Sequence, residues 1–338
     1  MNSLPITRRT DDSAAATPER PDTAVLLVNL GTPDAPTAPA VRRYLAEFLH
    51  DYRVVDLSRW LWCPLLHFVI LPIRSSKVAR KYASIWLPGD DGGSPLAAYT
   101  RRLARAVQRE LPGVRVESAM RYGNPSMASV VDRLRGEGVT RVQVLPLYPQ
   151  YSTSTTASVE DAAAKLGGVD VALVRDYHLD PGWVEAVAGS IRAHRAANGD
   201  DGHLLFSFHG LPQRFVDRGD PYATECVAGA RAIAAALGLA DDAWTLSYQS
   251  RFGREKWLEP STSDTLKVLA ARGITTVDVV APGFAVDCIE TLEEISMELA
   301  EEFHAVGGTL RYIPCLNDSP AHARAIADVA ARALGAAR

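Results

Sequence analysis

Eight short apolar runs divide this 338-residue chain, and the spacing leaves room for a helix after each. The runs are AVLLVNL (24–30), VRVESAM (114–120), VTRVQVLPLY (139–148), VDVALV (169–174), LLFSF (204–208), WTLSYQ (244–249), TTVDVVAP (275–282) and TLRYIP (309–314). Uninterrupted apolar runs of this length suit strands covered on both faces. Between them lie amphipathic stretches at 97–110, 125–136, 183–197, 222–237, 263–272 and 288–306. Strand alternating with helix implies parallel sheets flanked by helices. The expected fold is therefore α/β, with two doubly wound domains that each hold a four-stranded parallel sheet. The expected divisions are a flexible tail at 1–22, a first domain at 23–165 and a second at 166–315. A closing helix within 316–338 is expected to cross back to the first domain.

A net charge of -4, with no isolated lysine or arginine block, leaves no nucleic-acid footprint. Cys63, Cys226, Cys288 and Cys315 are far apart in sequence, without a CxxC pair or zinc-type spacing, and read as reduced thiols. The first 20 residues lack an apolar signal core, so a cytoplasmic location is expected. One stretch complicates that reading. WLWCPLLHFVILPI (60–73) carries no formal charge but falls short of the roughly 20 apolar residues that span a bilayer. It reads either as a buried core helix or as an apolar lip against a membrane surface or a greasy ligand. Pro64 and Pro72 are expected to limit any helix there.

In doubly wound sheets ligands bind beyond the carboxyl ends of the strands. Here those ends read NLGTP, MRYGNPS, LPLYPQYSTSTT, FSFHGLP, SYQSRFG and PGFAVDCIETLEE, rich in polar, aromatic and titratable residues. His209 follows directly on a buried strand, where side chains first emerge from the core. A helix is expected to begin near Asp287, with Glu290, Glu294 and Glu298 on one face. Like charges at that spacing are mutually unfavourable, no lysine in the stretch offsets them, and a passing cation would. An imidazole and a carboxylate make an open first shell for Fe(II) or another borderline ion, and equally a proton acceptor with an electrostatic partner. GDDGG (89–93) is not followed by nucleotide-binding spacing, and no GxSxG elbow accompanies YSTST (151–155).

Taken in order, NLGTP, GGSPL (92–96), RYGNPS (121–126), LYPQYSTSTT (147–156), SFHGLP, RGDPY (218–222), YQSRFG with Trp257, and DCIETLEE (287–294) resemble the ferrochelatase family. The resemblance covers about residues 24 to 330. It implies two Rossmann-like domains with a porphyrin in the cleft between them, and Fe(II) inserted as a substrate. Carried over by position, it makes His209 and Glu290 the catalytic and metal-contacting pair, with Glu294 and Glu298 an acidic ladder along a metal route. Arg74, Tyr82 and Ser94 match contacts to the porphyrin edge. Arg121, Tyr122, Tyr148 and Trp257 fall in motifs that line the cleft. Stretch 60–73 matches the family's hydrophobic lip, which implies peripheral contact with the inner membrane.

The chain departs from many relatives in having Cys288 where they have histidine, which removes a second imidazole. It also lacks a cysteine-rich extension, Cys315 standing alone near the end, so no iron–sulfur cluster and no permanently bound cofactor are expected. Asn29 in NLGTP, together with the lip, favours protoporphyrin IX, with coproporphyrin or another tetrapyrrole as the alternative. A non-enzymatic porphyrin or haem carrier would favour closed iron ligation, which an open His/Glu pair does not provide.

Overall fold

A computed structural model describes residues 22–336 except Arg254. The tail expected at 1–22 lies, Asp22 aside, outside them. The first half runs β1 (Thr23–Thr32), α1 (Ala38–His50), α2 (Arg59–Leu65), a π-helical segment (Leu66–Ile70), α3 (Leu71–Ile85), α4 (Pro95–Glu110), β2 (Arg115–Gly123), α5 (Met127–Gly136), β3 (Arg141–Pro146), α6 (Thr156–Ala163) and β4 (Asp170–Leu173). The second half runs α7 (Pro181–Asn198), β5 (His203–His209), α8 (Gln213–Asp217), α9 (Tyr222–Ala236), β6 (Trp244–Gln249), α10 (Thr262–Ala271), β7 (Thr276–Val280), a second π-helix (Glu290–Leu299), α11 (Ala300–Ala305), β8 (Thr309–Ile313) and α12 (Pro320–Ala336).

All eight apolar runs form strands. Two parallel sheets result, ordered β2-β1-β3-β4 and β6-β5-β7-β8, so one topology occurs twice. β4 pairs with β3 through Val171 and Leu173, so the first sheet continues past the division drawn at 165/166. In β1, Ala24, Leu26 and Val28 face one core cluster and Val25 and Leu27 another, which explains why the run is apolar without alternation. Val25 and Leu27 share their cluster with Leu103 of α4, Trp183 of α7, Phe206 of β5 and Ile326 of α12, so one continuous core spans both halves. Leu205, Val277 and Val279 face the far side of the second sheet. α12 packs on α4, α7 and β3.

At the end of β1 the glycine of NLGTP has φ +117°, and a Cβ there would lie 1.8 Å from the Tyr122 carbonyl oxygen. The close approach of β1 to β2 at the register pair Gly31 and Tyr122 therefore requires glycine.

Residues 59–85 form one unbroken helical run through both prolines. This corrects the expectation that Pro64 and Pro72 limit the helix. Pro64 lies in the opening turns, where few intrahelical bonds are lost. Before Pro72 the ladder widens, the Leu71 N–H reaching back five residues to the Leu66 carbonyl, and this wider turn absorbs the missing proline donor.

Candidate active site at the ends of the second sheet

Strand order reverses beside β5 in the second sheet, and side chains leaving β5, β6 and β7 meet at that crevice. His209 is the last residue of β5, in register with Gln249, the last of β6. The Gly210 N–H prolongs the pairing to the Gln249 carbonyl at 2.7 Å, and Trp257 closes over the same glycine, leaving no room for a Cβ. His209 Nδ1 lies 2.7 Å from the Gly210 carbonyl oxygen. A carbonyl only accepts, so Nδ1 carries the proton and Nε2 is the basic nitrogen of the neutral ring. Phe284 meets the imidazole edge-on at 6.4 Å, and the Tyr222 hydroxyl donates to the His209 carbonyl at 3.0 Å.

Beyond β7 the chain turns into a helix near Asp287, as expected, the Leu292 N–H donating to the Cys288 carbonyl at 2.9 Å and the π-helical stretch running from Glu290. Asp287 anchors the turn. It accepts from Tyr312 OH at 2.5 Å, Asn317 Nδ2 at 2.7 Å and Thr291 Oγ1 at 3.0 Å. Gln249 Nε2 donates to the Glu290 carbonyl at 2.8 Å and reaches a Glu294 carboxylate oxygen at 3.4 Å. The Ser250 N–H donates to Glu294 Oε1 at 2.7 Å and its hydroxyl donates to Oε2. Ser250 reaches both oxygens from a left-handed conformation, φ 65°, uncommon for a non-glycine residue. Burial pushes the Glu294 carboxyl above the usual range and the Glu290 charge adds to it, while Ser250 and His209 oppose the rise. A carboxyl whose burial favours the protonated form is a better proton acceptor than an exposed glutamate.

The outer end of the acidic ladder is not left unpaired. Lys81 Nζ, from α3, lies 2.8 Å from Glu293 and 3.0 Å from Glu298. The stretch itself holds no lysine, as expected, but a partner for Glu298 at its outer end arrives from more than two hundred residues away, while Glu290 and Glu294 have no lysine contact among the described residues. Glu298 thus stands on the clamped outer end of the row, while Glu290 and Glu294 face the crevice group.

The first half supplies the opposite wall. Ile289 and Leu292 pack against Val41, Ala79, Tyr82 and Ile85. Tyr82 is buried, edge-on to Trp86 at 6.4 Å; burial and then the Glu290 charge push its hydroxyl well above the usual range. Ser94 is also buried, its Oγ accepting from Thr32 Oγ1 at 2.7 Å. Arg121 and Tyr122, expected as cleft lining, spend their polar atoms internally. Asp51 accepts from Arg121 Nη2 at 2.6 Å, Tyr122 OH at 2.7 Å and Ser158 OH at 2.6 Å. Burial raises the Asp51 carboxyl, but those bonds and the Arg121 charge outweigh it and hold the group below the usual range. The Tyr148 hydroxyl, by contrast, is buried with no hydrogen-bond partner among the described residues. Exposed Arg74 lies over the Phe252 ring at 5.3 Å, and Phe252 meets Trp257 at 6.0 Å, joining the lip helix to the second half.

His209 and Glu294 thus come together around Gln249 and Ser250, where Gln249 also holds the Glu290 backbone carbonyl, while the Glu290 carboxylate lies near enough to raise Glu294 and Tyr82. Tyr82 faces them, Arg74 and Trp257 meet through Phe252, and Arg121 with Tyr122 forms a separate buried group. Sequence reasoning missed Tyr44, Asp51, Ser158, Lys81, Gln249 and Ser250. Tyr44 is buried in the same wall, and burial, with the nearby Glu290 charge, pushes its hydroxyl well above the usual range. Gln249 and Ser250 stood inside the quoted YQSRFG and were within reach; the others carry no local signal. Among the described residues no three His, Cys, Asp or Glu side chains converge as a closed metal site.

The 60–73 stretch splits its two readings by face. Trp62, Leu66 and Leu71 are buried, Trp62 Nε1 donating to the Leu49 carbonyl at 2.7 Å. Trp60, Leu61, Phe68 and Ile73 are 91%, 78%, 82% and 69% exposed, large apolar side chains turned to the surface of one helical run. No helix of the described residues is long and apolar enough to cross a membrane.

Comparison with known proteins follows the same lines. The family model described as Ferrochelatase matches residues 22–334. A protein named Ferrochelatase from Stenotrophomonas maltophilia is 59% identical over 320 residues, 94% of this chain and 99% of that one. One from Xanthomonas axonopodis pv. citri is 56% identical, covering 93% and 99%, and one from Vibrio parahaemolyticus is 50% identical, covering 90% and 96%. Among solved structures, SirB from Bacillus subtilis with Fe3+ superposes with a TM-score of 0.52 at 12% identity, covering 92% of this chain and 95% of that one. CbiX, described as the terminal enzyme for siroheme biosynthesis in denitrifying bacteria, gives 0.53 at 15%, covering 93% and 99%. At those identities the likeness is one of fold.

Proposed function

This chain belongs to the ferrochelatase family, and from that premise we propose that it inserts Fe(II) into protoporphyrin IX in the cleft between the two sheets, releasing two protons per protohaem formed. The observation that supports the reading is the placement of His209 and Glu294 beside Gln249 and Ser250 at the strand ends, with the Glu290 carbonyl held to Gln249 and buried Tyr82 on the opposite wall.

Insertion is slow in solution because the pyrrole nitrogens point inward and two hold protons. His209 Nε2 accepts those protons one at a time and passes each to solvent before taking the next, the Nδ1–H bond to Gly210 holding the ring in the tautomer that leaves Nε2 basic. Glu290 receives the iron, and Glu294, raised by burial, takes up the charge released beside it. Glu298 is the outer step of the metal route, in exchange with Lys81. Contacts distant from the reacting nitrogens, at Arg74, Tyr82 and Ser94, supply binding energy for bending the ring, and Tyr148 offers its unpartnered hydroxyl to the same wall. Trp257 and Phe252 cover the edge near Arg74. Iron is substrate in this scheme, and neither an iron–sulfur cluster nor another resident cofactor takes part. The exposed apolar row Trp60, Leu61, Phe68 and Ile73 rests peripherally on the cytoplasmic face of the inner membrane, where a poorly soluble ring is delivered and removed.

The test is an anaerobic absorbance time course with Fe(II) and protoporphyrin IX in detergent, run beside coproporphyrin III and His209→Ala. Multiple-turnover conversion with protoporphyrin, abolished in a variant that still binds the ring, is expected. Stoichiometric binding without turnover would make the protein a tetrapyrrole carrier, and faster turnover of coproporphyrin would overturn the substrate.

A further inference from the structure

The lip helix continues past its apolar stretch, and its two halves share one exposed side. Along the run 59–85 the buried positions are Trp62, Leu66, Leu71, Ser75, Ala79 and Tyr82, three or four residues apart except for the step from Leu66 to Leu71. In a regular α-helix that five-residue step would overshoot a full turn by about 140°, and the wider π-helical turn takes up the excess. The buried side therefore stays continuous, and so does the side opposite. That exposed side is apolar at Trp60, Leu61, Leu65, Phe68 and Ile73 and then turns cationic, with Lys77 and Arg80 one and two turns beyond Ile73.

Solvated helix faces elsewhere in this chain carry both signs of charge. Asp91 draws in Arg101, Arg102 and Arg105 of α4, and on α5 Arg133 pairs with Glu137 and Arg135 with Asp132. The lip helix differs, since no aspartate or glutamate occurs between Asp56 and Asp90. Lys81 is taken up by Glu293 and Glu298, whereas Lys77 and Arg80 pair with no carboxylate among the described residues. The cationic end is thus opposite in sign to the chain as a whole, whose net charge is -4. From the second half, Phe252 is 51% exposed and lies against Arg74, with exposed Arg251 preceding it in the same loop. From Ile73 to Arg80 the helix axis rises about 10 Å. When the apolar end enters the boundary between headgroups and acyl chains, Lys77 and Arg80 lie at the depth of the phosphates, their stems along the apolar surface.

We infer that Lys77 and Arg80 bind anionic lipid headgroups beside the inserted apolar end of the lip helix, so that the membrane on which the protein rests is selected by its surface charge. The inference rests on the reading of the lip as a membrane contact and names the lipid class it meets. Neither signal suffices alone, because a small apolar area holds weakly and an isolated pair of cations is screened by salt. Together they fix the orientation as well as the choice of surface, since the rest of a negatively charged protein is repelled by the same headgroups.

The test sediments the full-length protein with vesicles of phosphatidylcholine alone and with vesicles that also contain phosphatidylglycerol. Each basic side chain near an anionic surface strengthens binding about fivefold, so Lys77→Gln with Arg80→Gln should weaken binding to the phosphatidylglycerol vesicles about 25-fold. The wild-type preference for those vesicles should fade as salt rises from about 0.05 to about 0.5 M. The double variant should keep its binding to phosphatidylcholine and its turnover in detergent within about twofold, and Lys165→Gln with Lys267→Gln, exposed cations on other helices, should bind both vesicles as the wild type does. Equal wild-type binding to both vesicles, anionic binding of the Lys77 and Arg80 variant within about twofold of wild type, or an equal loss in the Lys165 and Lys267 variant would overturn charge selection by this row and leave the lip reading standing. Binding to neither vesicle would overturn the lip reading as well.

Discussion

Asp51 is the residue whose removal the structure grades most sharply. One carboxylate oxygen receives Arg121 at 2.6 Å, Tyr122 at 2.7 Å and Ser158 at 2.6 Å, with the carboxylate only about 10% and the guanidinium only 18% exposed. Asp51→Ala leaves a partly buried guanidinium without its counter-charge and takes the acceptor from two hydroxyls at once. Breaking a buried pair from one side costs about 3–5 kcal/mol, and the lower half of that range fits a guanidinium that keeps its bonds to the Ser158 carbonyl and hydroxyl. Urea unfolding should show the loss as a lower midpoint at unchanged slope. Arg121→Ala in the same background should recover part of it, giving a coupling of about 2 kcal/mol in a double-mutant cycle. The pH dependence has a definite sign. Asp51 sits below its unfolded value, so its contribution is fully present above an ordinary aspartate pKa of about 4 and disappears as pH falls through the lower folded value. The gap between wild type and variant should therefore close on acidification. A loss below about 1 kcal/mol at pH 7, or additivity within about 0.5 kcal/mol, would refute the reasoning.

Glu294→Gln keeps the shape of the Ser250 contacts but removes a charge whose folded pKa is raised. The wild-type carboxyl loses stability as pH rises through that folded value, so the variant should be relatively more stable at pH 8 than at pH 5 by thermal unfolding, yet slower in iron insertion. Gly31→Ala combines an unfavourable φ with a Cβ driven into the Tyr122 carbonyl, and should cost at least about 3 kcal/mol, read as poor soluble yield and an early melting transition; wild-type stability would contradict the geometry. Trp60→Ser with Phe68→Ser should abolish sedimentation with anionic liposomes while leaving turnover in detergent within about twofold; liposome binding equal to wild type would remove the lip from membrane contact.

What could be read in advance was what lies within a few residues of chain. Both sheets were legible because a parallel strand covered on both faces is a continuous apolar run, and AVLLVNL and LLFSF are nothing else. β4 was the weakest, since exposed Asp170 and Ala172 alternate with half-buried neighbours at the sheet edge, and there the domain division was misplaced. That His209 ends a buried strand and that a helix carrying Glu290 follows β7 were legible in the apolar runs before them. Lys81 and Asp51 were not, because each acts on a partner at least 70 residues away in sequence and nothing in its own surroundings marks it. The continuity of the lip helix was hidden for another reason. Helix rules price proline against an α-helical ladder, and the chain answers with a wider turn.

The position of α12 has a consequence for biogenesis. Its Ala323, Ile326 and Ala330 complete the core that β1, α4 and α7 share, yet they leave the ribosome long after those elements. During synthesis the first sheet can pair its strands but keeps an apolar flank uncovered until residues 320–336 emerge. Nascent chains are accordingly clients for chaperones for most of their translation, and a chain that terminates early yields an aggregation-prone fragment, degraded before it can hold half of a cleft.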